Sequence, residues 1–369
     1  MKKFESIRPY FDSEVSQVLT DLSDNRRFLK MLLSTGGFNR LRFLPFSRKI
    51  LSIFLKNRIK KIKNVADYQN EFESIVSKVI NNSINRFTVS GIENLDKNKG
   101  YLFISNHRDI TLDSALLNLA LHQNKFKTTF NAVGNNLLNE KWASDLMRLN
   151  KSFIIDRSDK SKRDIYKSLN LASEFIFDVI KNKNESIWIA QKQGRSKDGN
   201  DYTDPSVIKM IHLNSRKKIP IHDYLNNLNV IPVSISYEKD PNDILKANEL
   251  YSTEVNQEYS KDRKEDMVSI FQGIMGQKGN VDINIGNILN FNSDSYEDCS
   301  NHITQSIKGL YKLHPTNYAA AIMQGKLNES DVLNQSEIDH AKEYLENRVK
   351  LGSKNLKSYL LNQYSNPLN

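Results

Sequence analysis

The fold of this chain is decided by the stretch YLFISNHRDITLDSALLNLA, residues 101–120. Its first four residues are apolar and predict a buried strand, and residues 115–120 predict a helix. His107 therefore lies where a strand ends and a helix begins, with Asp109 and Asp113 close downstream. Ligands bind at this edge of open α/β sheets. A histidine near a carboxylate can be held in one tautomer and used there as a general base.

Short apolar runs alternate with helical segments through the middle of the chain. The further runs are residues 87–91, 153–155, 186–190, 230–236 and 281–285. This alternation predicts an α/β fold with a mixed, mostly parallel sheet flanked by helices. Pro232 has no N–H group, so we expect its strand to lie at a sheet edge or to begin there.

Both ends of the chain have helical patterns and predict extensions to the α/β fold. We expect three segments: a helical, basic region at residues 1–82, an α/β domain at 83–295, and a C-terminal helical extension at 296–369 that packs on the same domain. The single cysteine, Cys299, excludes an intrachain disulfide and favours a reducing compartment. Because the sequence contains neither a signal-peptide core nor about 18 uninterrupted apolar residues, we expect a cytoplasmic protein without a spanning helix.

The positive charge of the chain is concentrated near its N-terminus. The net charge is +10, and residues 25–66 contain twelve Lys or Arg and no Asp or Glu. Apolar residues recur at helical spacing within this block: Leu51, Phe54, Leu55, Ile59 and Ile62. This pattern is typical of an amphipathic helix on an anionic membrane surface. The alternative is that the apolar face packs on the rest of the protein. We expect no contact with nucleic acid, because the aromatic side chains group with the aliphatic ones and no nucleic-acid motif is present.

Two cationic segments follow later strands. Arg157 ends an apolar strand and can present its guanidinium to a phosphate or carboxylate, or form a salt bridge with a neighbouring aspartate. In residues 188–199 a strand leads into a turn that contains Lys192, Gly194 and Arg195. Gly194 lets backbone amides approach a ligand closely, although a solvated loop is the alternative.

Four segments, in this order, resemble the glycerolipid acyltransferase superfamily, which includes glycerol-3-phosphate and 1-acylglycerol-3-phosphate acyltransferases. They are the His107 motif, a Phe-Ile-x-Arg-like block at residues 153–157, a Glu-Gly-x-Arg-like block around Gly194, and Val-Ile-Pro-Val at 230–233. The resemblance covers roughly residues 85–290. Residues 231–238 are most similar to the branch that acylates glycerol 3-phosphate or dihydroxyacetone phosphate.

The chain departs from this family at two positions. The family motif has its acid five positions after the histidine, where this chain has Leu112, and Asp113 follows one position later. Either the turn carries one extra residue, or Asp109 partners His107; we favour Asp113 because an apolar helix follows it. Gln193 stands where the family commonly has Glu, which keeps a carbonyl acceptor and loses the charge.

The resemblance implies an O-acyltransferase of phospholipid biosynthesis. It would move a fatty acyl group from acyl-CoA or acyl-acyl-carrier-protein to a hydroxyl of glycerol 3-phosphate or a related lysophospholipid. His107 would be the general base and Asp113 its partner. The reaction would need no cofactor and no metal, because the acyl thioester donor is itself a substrate. The implied substrate-binding residues are Lys192, Gln193, Gly194, Arg195, Phe153 and Arg157.

The resemblance also leaves a second interpretation open. The chain could be a non-catalytic, membrane-associated protein that binds lipid or acyl-carrier protein with the same fold; Gln193 and the six-residue spacing support this alternative. For the enzyme, we expect a peripheral position on the inner face of the cell membrane.

Overall fold

The computed structural model describes residues 2–35, 43–135, 140–156, 161–256, 259, 265–328 and 335–369. The chain forms two compact units: unit 1 comprises Met1–Val76 and Thr129–Ile176, and unit 2 comprises Ser77–Thr128 and Phe177–Asn369. This division differs from the three consecutive segments expected from the sequence, because unit 1 includes part of the α/β segment. The C-terminal helical residues belong to the same unit as His107.

Unit 2 contains five strands that pair side by side. They are β1 (Arg86–Ser90), β2 (Leu102–Ser105), β5 (Ile187–Ala190), β6 (Val230–Tyr237) and β7 (Asn280–Ile285). Their order is β1-β7-β6-β2-β5, and β6 and β7 are antiparallel while the other neighbouring pairs are parallel. The predicted α/β class with a mixed, mostly parallel sheet is confirmed.

Largely apolar sequence explains why β2 and β6 lie inside this sheet. Every residue of β2 and of β6 is buried. Strands that are covered on both faces read as unbroken apolar runs rather than as alternating patterns. The register places Ser105, the last residue of β2, beside Val233 of β6. Tyr237 therefore lies four residues beyond the end of β2, on the side where the His107 segment begins.

The expectation that Pro232 marks an edge strand is wrong, because β6 lies between β7 and β2. The carbonyl of Pro232 accepts a hydrogen bond from the N–H of Gly286, so this residue's backbone groups face the β7 side. The ladder with β7 begins only at Val233, opposite Ile285. The missing N–H of Pro232 therefore falls just outside that ladder, where its absence costs no strand pairing.

The described part of unit 2 also contains nine helices. They are α5 (Leu112–Gln123), α8 (Pro205–His212), α9 (Ile221–Asn227), α10 (Asp243–Asn256), α11 (Glu265–Met275), α12 (Tyr296–Leu310), α13 (Pro315–Met323), α14 (Gln335–Leu351) and α15 (Lys357–Ser365). Short non-α turns occupy Ile92–Asn94, Asp178–Asn182, Lys354–Leu356 and Asn366–Leu368. The C-terminal helices share an apolar cluster that includes Ala320, Leu345 and Leu360.

Unit 1 combines N-terminal helices with a parallel strand pair. Its elements are a short turn at Lys2–Phe4, α1 (Asp12–Asp24), α2 (Arg26–Thr35), α3 (Ser47–Ile59), β3 (Phe130–Gly134), α6 (Lys141–Leu149), β4 (Ser152–Ile155) and α7 (Lys162–Phe177). The helix α4 (Val65–Ser83) begins in unit 1 and ends in unit 2. Within the described ranges, none of the helices combines the length and apolar character needed to cross a bilayer.

The apolar face predicted for residues 51–62 is partly packed inside unit 1. Leu51 is fully buried in a cluster with Leu29 and Leu33, and Leu55 packs against this cluster. Ile62 is buried as well. The alternative stated for this face, packing on the rest of the protein, therefore holds for Leu51, which is buried against Leu29 and Leu33 of α2, and in part for Leu55. Phe54 differs from them because it is 47% exposed.

Candidate active site

His107 and Asp113 form the centre of the candidate site. His107 follows β2, and Asp113 is the second residue of α5. The ring Nδ1 of His107 lies 2.8 Å from Oδ2 of Asp113. Because a carboxylate accepts hydrogen bonds, this contact places the proton on Nδ1 and leaves Nε2 with a free electron pair. The six-residue spacing thus brings the two side chains together.

Asp113 is held by further donors as well as by His107. Its side chain is fully buried. Oδ2 also accepts hydrogen bonds from the backbone N–H groups of Arg108 (2.6 Å) and Asp109 (3.0 Å). The hydroxyl of Tyr237 donates to Oδ1 at 2.8 Å. A position in the first helical turn also favours a negative charge. These contacts fix the orientation of the buried carboxyl group.

Asp109 has a different position. Its Oδ1 accepts hydrogen bonds from the backbone N–H groups of Thr111 (2.9 Å) and Leu112 (2.8 Å), where α5 begins. Burial, reinforced by the charge of Asp113, raises the pKa of Asp109. Helix α11 packs closely here, since a Cβ on Gly273 would lie 2.1 Å from Oδ2 of Asp109. Asp109 therefore organises the turn before α5, and Asp113 is the acid hydrogen-bonded to His107.

The backbone around His107 is fixed by several residues of unit 2. The N–H of Ser196 donates to the His107 carbonyl (2.7 Å), and the buried ammonium of Lys246 donates to the Arg108 carbonyl (2.7 Å). The Arg108 guanidinium pairs with Asp201 at 2.6 Å. Burial is the largest single effect and lowers the pKa of Arg108, but the negative groups around it, Asp201 first among them, together outweigh burial and raise that pKa. The histidine loop is therefore rigidly connected to the cationic turn.

Two polar side chains just before His107 connect β2 to its neighbours. Asn106 donates to the Ile235 carbonyl (2.9 Å) and accepts from the Ile235 N–H (2.8 Å). The indole N–H of Trp188 donates to Ser105 Oγ at 2.9 Å. The same indole meets the edge of the His107 ring, with ring centroids 5.8 Å apart. These contacts limit the orientations that the imidazole can adopt.

The predicted cationic turn lies next to the histidine loop. The N–H of Gln191 donates to the Ser105 carbonyl at 2.8 Å, in addition to the Ser196–His107 bond described above. Gly194 has a φ of +75°, and no atom lies within 4 Å of the position a Cβ would take. Gln193 is exposed beside it. The turn thus offers an open backbone approach, which only glycine provides at this φ without strain.

Arg195 and Lys192 have different surroundings in this turn. Arg195 is half-buried and donates through Nη1 to Ser269 Oγ at 2.6 Å. Lys192 donates to the Asn200 carbonyl (2.9 Å) and lies 4.2 Å from the centre of the Tyr202 ring. Burial lowers the pKa of Lys192. Both cations can supply charge for an anionic ligand, and Arg195 is the more firmly oriented.

The second predicted block, residues 153–157, is only partly described. Arg157 lies outside the described residues. Phe153 belongs to unit 1, where it is fully buried and packs against Phe175 with ring centroids 4.9 Å apart. Its role in substrate binding stays a prediction. Among the residues that the structure describes, no group of three or more His, Cys, Asp or Glu side chains could hold a metal ion.

The sequence profile of the Acyltransferase family matches residues 86–203, a segment that contains His107, Asp113 and Arg195. The sequence of this segment, residues 86–203, is therefore that of an Acyltransferase domain. This result confirms the superfamily expected from the four motifs. The crystal structure of 1-acyl-sn-glycerophosphate (LPA) acyltransferase PlsC from Thermotoga maritima is similar over 86% of this chain and 98% of that chain, with a TM-score of 0.40 and 15% sequence identity. No curated protein matches this acyltransferase significantly.

Sequence reasoning missed several residues around this acyltransferase centre. Tyr237 lies in the 231–238 segment of the family resemblance, which assigns it no role, yet its hydroxyl reaches Asp113. Lys246 lies outside the four motifs, and it reaches Arg108 from α10. The available signal for Tyr237 was a hydroxyl-bearing residue at the end of a strand that is buried along its whole length. No local pattern marks Lys246, because only the folded chain brings it to the histidine loop.

Proposed function

We propose that this acyltransferase moves a fatty acyl group from acyl-CoA or acyl-acyl-carrier-protein to a hydroxyl of glycerol 3-phosphate or a lysophospholipid. The observation that carries the proposal is the 2.8 Å contact between His107 Nδ1 and a buried Asp113, placed after β2 within the Acyltransferase segment. This arrangement orients Nε2 as a base. We infer that the reaction belongs to phospholipid biosynthesis.

In the proposed reaction, Nε2 of His107 removes the proton of the acceptor hydroxyl as its oxygen attacks the thioester carbonyl. The carbon–sulfur bond then breaks, and the imidazolium returns the proton to the leaving thiolate. Asp113 stabilises the imidazolium through Nδ1 throughout this sequence. General-base assistance of this kind contributes roughly 10²–10⁴-fold to the rate. No covalent acyl-enzyme intermediate is required.

We propose that Arg195 binds the phosphate of the acceptor, with Lys192 contributing further charge. A guanidinium that is already oriented loses little freedom when it pairs with a phosphate. The open backbone at Gly194 gives a phosphorylated substrate room beside these cations. Arg157 and Gln193 stay in this proposal as substrate-binding residues, on the basis of the family resemblance alone.

The decisive experiment measures transfer of a radiolabelled acyl group by the purified protein. Both donors are tested against a panel of glycerol 3-phosphate, 1-acylglycerol 3-phosphate and an amine-linked lysophospholipid. His107→Ala is expected to lower kcat by roughly 10²–10⁴-fold without unfolding the protein. Full activity of this variant would show that His107 is not the base. Binding of lipid without turnover on any acceptor would favour the non-catalytic alternative.

His222 offers a matched control for this substitution. Its Nδ1 lies 2.8 Å from Asp294 Oδ1, the same distance as in the His107–Asp113 pair, but Asp294 is 71% exposed. His222→Ala removes a histidine–aspartate contact of the same kind from the protein surface. We expect it to keep the parent activity, since exposed ion pairs contribute little to stability.

We also propose that residues 43–63, which include α3, contact an anionic membrane on its cytoplasmic face. Large apolar side chains are exposed here: Phe43, Leu44, Phe46, Ile50, Ile53 and Phe54. Exposed cations accompany them: Arg48, Lys49, Arg58, Lys60, Lys61 and Lys63. Apolar area and positive charge together are what an interfacial helix needs, and each cation adds about 1 kcal/mol near an anionic surface.

Vesicle sedimentation tests this surface. The parent is expected to bind vesicles that contain anionic phospholipid more strongly than neutral vesicles. Phe46→Ser combined with Ile53→Ser should weaken this binding, whereas Met275→Ser, which alters an equally exposed apolar residue of α11, should not. Equal binding by all three proteins, or no preference for anionic vesicles, would contradict the proposal.

A further inference from the structure

A buried tyrosine lies behind the His107–Asp113 pair. Tyr237 ends β6, is 8% exposed, and donates its hydroxyl to Asp113 Oδ1 at 2.8 Å. We propose that Tyr237 is a positioning residue, which acts through Asp113 to hold His107 ready to accept the substrate proton. This inference rests on the proposed function, since it assigns a residue to the same reaction.

The two oxygens of Asp113 are occupied from different directions. Oδ2 accepts from His107 and from the backbone N–H groups of the histidine loop, and Oδ1 accepts from Tyr237. Because the carboxyl is fully buried, solvent does not replace a lost donor. Removing the phenol hydroxyl therefore leaves Oδ1 poorly satisfied and lets the carboxylate turn. Either change alters the position and the basicity of His107.

Tyr237 keeps its proton under the conditions of catalysis. Burial first, and then the negative charge of Asp113, raises the pKa of Tyr237 well above its ordinary value. The carboxylates of Asp109 and Asp240 act in the same direction. The phenol is consequently a hydrogen-bond donor at any pH at which the protein works.

The register of the sheet explains how β6 reaches the helix that carries Asp113. Val233 pairs with Ser105 at the end of β2, so residues 234–237 continue beyond the last β2 residue. The side chain of Asn106 holds this extension in place through hydrogen bonds to both the N–H and the carbonyl of Ile235. Tyr237 is thereby presented to the beginning of α5 from a rigid strand. A hydroxyl on a rigid strand is suited to fixing a side-chain orientation.

Tyr237→Phe removes the hydroxyl and keeps the ring. We expect kcat to fall about 10- to 100-fold, as for loss of one hydrogen bond to a charged group, with KM unchanged for donor and acceptor. The acid limb of the kcat–pH profile should move to higher pH, because a carboxylate with fewer donors is more basic. In combination with Asp113→Asn, the substitution should cause little further loss, because Tyr237 acts through Asp113.

Tyr364→Phe is the matched control. Tyr364 is also buried and donates to a buried carboxylate, Asp243, at 2.9 Å. Its loss should lower the unfolding temperature but leave kcat and the pH profile unchanged. Retention of kcat within about threefold by Tyr237→Phe, or losses that multiply in the combination with Asp113→Asn, would overturn the proposal.

A spectroscopic measurement separates this inference from the proposed function. The proton on His107 Nδ1 is expected to give a downfield NMR signal, assigned by its loss in His107→Ala. A shift of this signal in Tyr237→Phe but not in Tyr364→Phe supports the positioning role. An unchanged signal overturns it. If the parent transfers no acyl group from either donor, the proposed function fails, and the NMR comparison still decides what Tyr237 does.

Discussion

Replacing Asp113 with asparagine removes a negative charge beside His107 and keeps the shape of the side chain. The carbonyl oxygen of asparagine can take the place of Oδ2, which accepts three N–H donors in the parent. Its amide can then donate to the phenol oxygen of Tyr237, 2.8 Å from Oδ1 in the parent. The local fold is therefore expected to persist, so that activity reports mainly on the charge.

The expected loss follows from the distance between the two groups. With Nδ1 and Oδ2 2.8 Å apart, the charge centres of imidazolium and carboxylate lie about 4 Å apart, and their attraction is about 4 kcal/mol at an effective dielectric constant of about 20. The neutral hydrogen bond that remains recovers about 1 kcal/mol. A net loss of about 3 kcal/mol in stabilising the imidazolium corresponds to a fall in kcat of at least about 10²-fold.

The assay compares initial rates of acyl transfer by the parent, Asp113→Asn and Asp109→Asn. Asp109→Asn is the matched control, because asparagine can still accept the hydrogen bonds of Thr111 and Leu112. We expect this control to stay within about tenfold of the parent rate. A normal rate in Asp113→Asn together with a large loss in Asp109→Asn would refute the assignment of Asp113 as the partner of His107.

Two further predictions concern substrate affinity and pH dependence. Arg195→Ala should raise KM for a phosphorylated acceptor about 10- to 100-fold with little change in KM for the donor, and equal changes in both would contradict phosphate binding by this residue. Burial lowers the pKa of Lys278 to about 8, from 10.5. Because the unfolded chain then binds more protons, the free energy of unfolding should rise by about 2 kcal/mol between about pH 7 and about pH 9.5. Urea unfolding of Lys278→Met should lack this rise; an identical rise would show that other groups cause it.

Much of the fold was predictable because the inner strands β2 and β6 are marked in the sequence by largely apolar runs. Residues 101–104 and 230–236 read as buried strands, and β2 and β6 occupy nearly those bounds. The meeting of His107 with Asp113 was also predictable, because the end of a strand and the start of the next helix adjoin. Both the apolar strands and the His107–Asp113 contact involve residues that are close together in the sequence.

Other features depend on which surfaces meet, and local sequence does not encode this. Helical periodicity marked Leu51 and Phe54 as one apolar face, but Leu51 packs in unit 1 while Phe54 is exposed. The helical pattern of the C-terminal extension does not mark where one helix ends, whereas the structure separates α14 from α15 after Gly352. The contact of Tyr237 with Asp113 joins residues 124 positions apart and requires the strand register.

Asn106 shows how a position that touches no reacting group can tolerate almost no substitution. Its amide forms a reciprocal pair with both backbone groups of Ile235, and it also reaches Asp201 at 3.2 Å. Aspartate would lack the donor, leucine would lack both partners, and glutamine would be too long by one methylene. In a saturation mutagenesis screen for activity, this position should score like His107 itself. Mutational sensitivity alone would then suggest that Asn106 is a catalytic residue. Only the geometry shows that Asn106 has a structural role, whereas His107 is placed to act as the base.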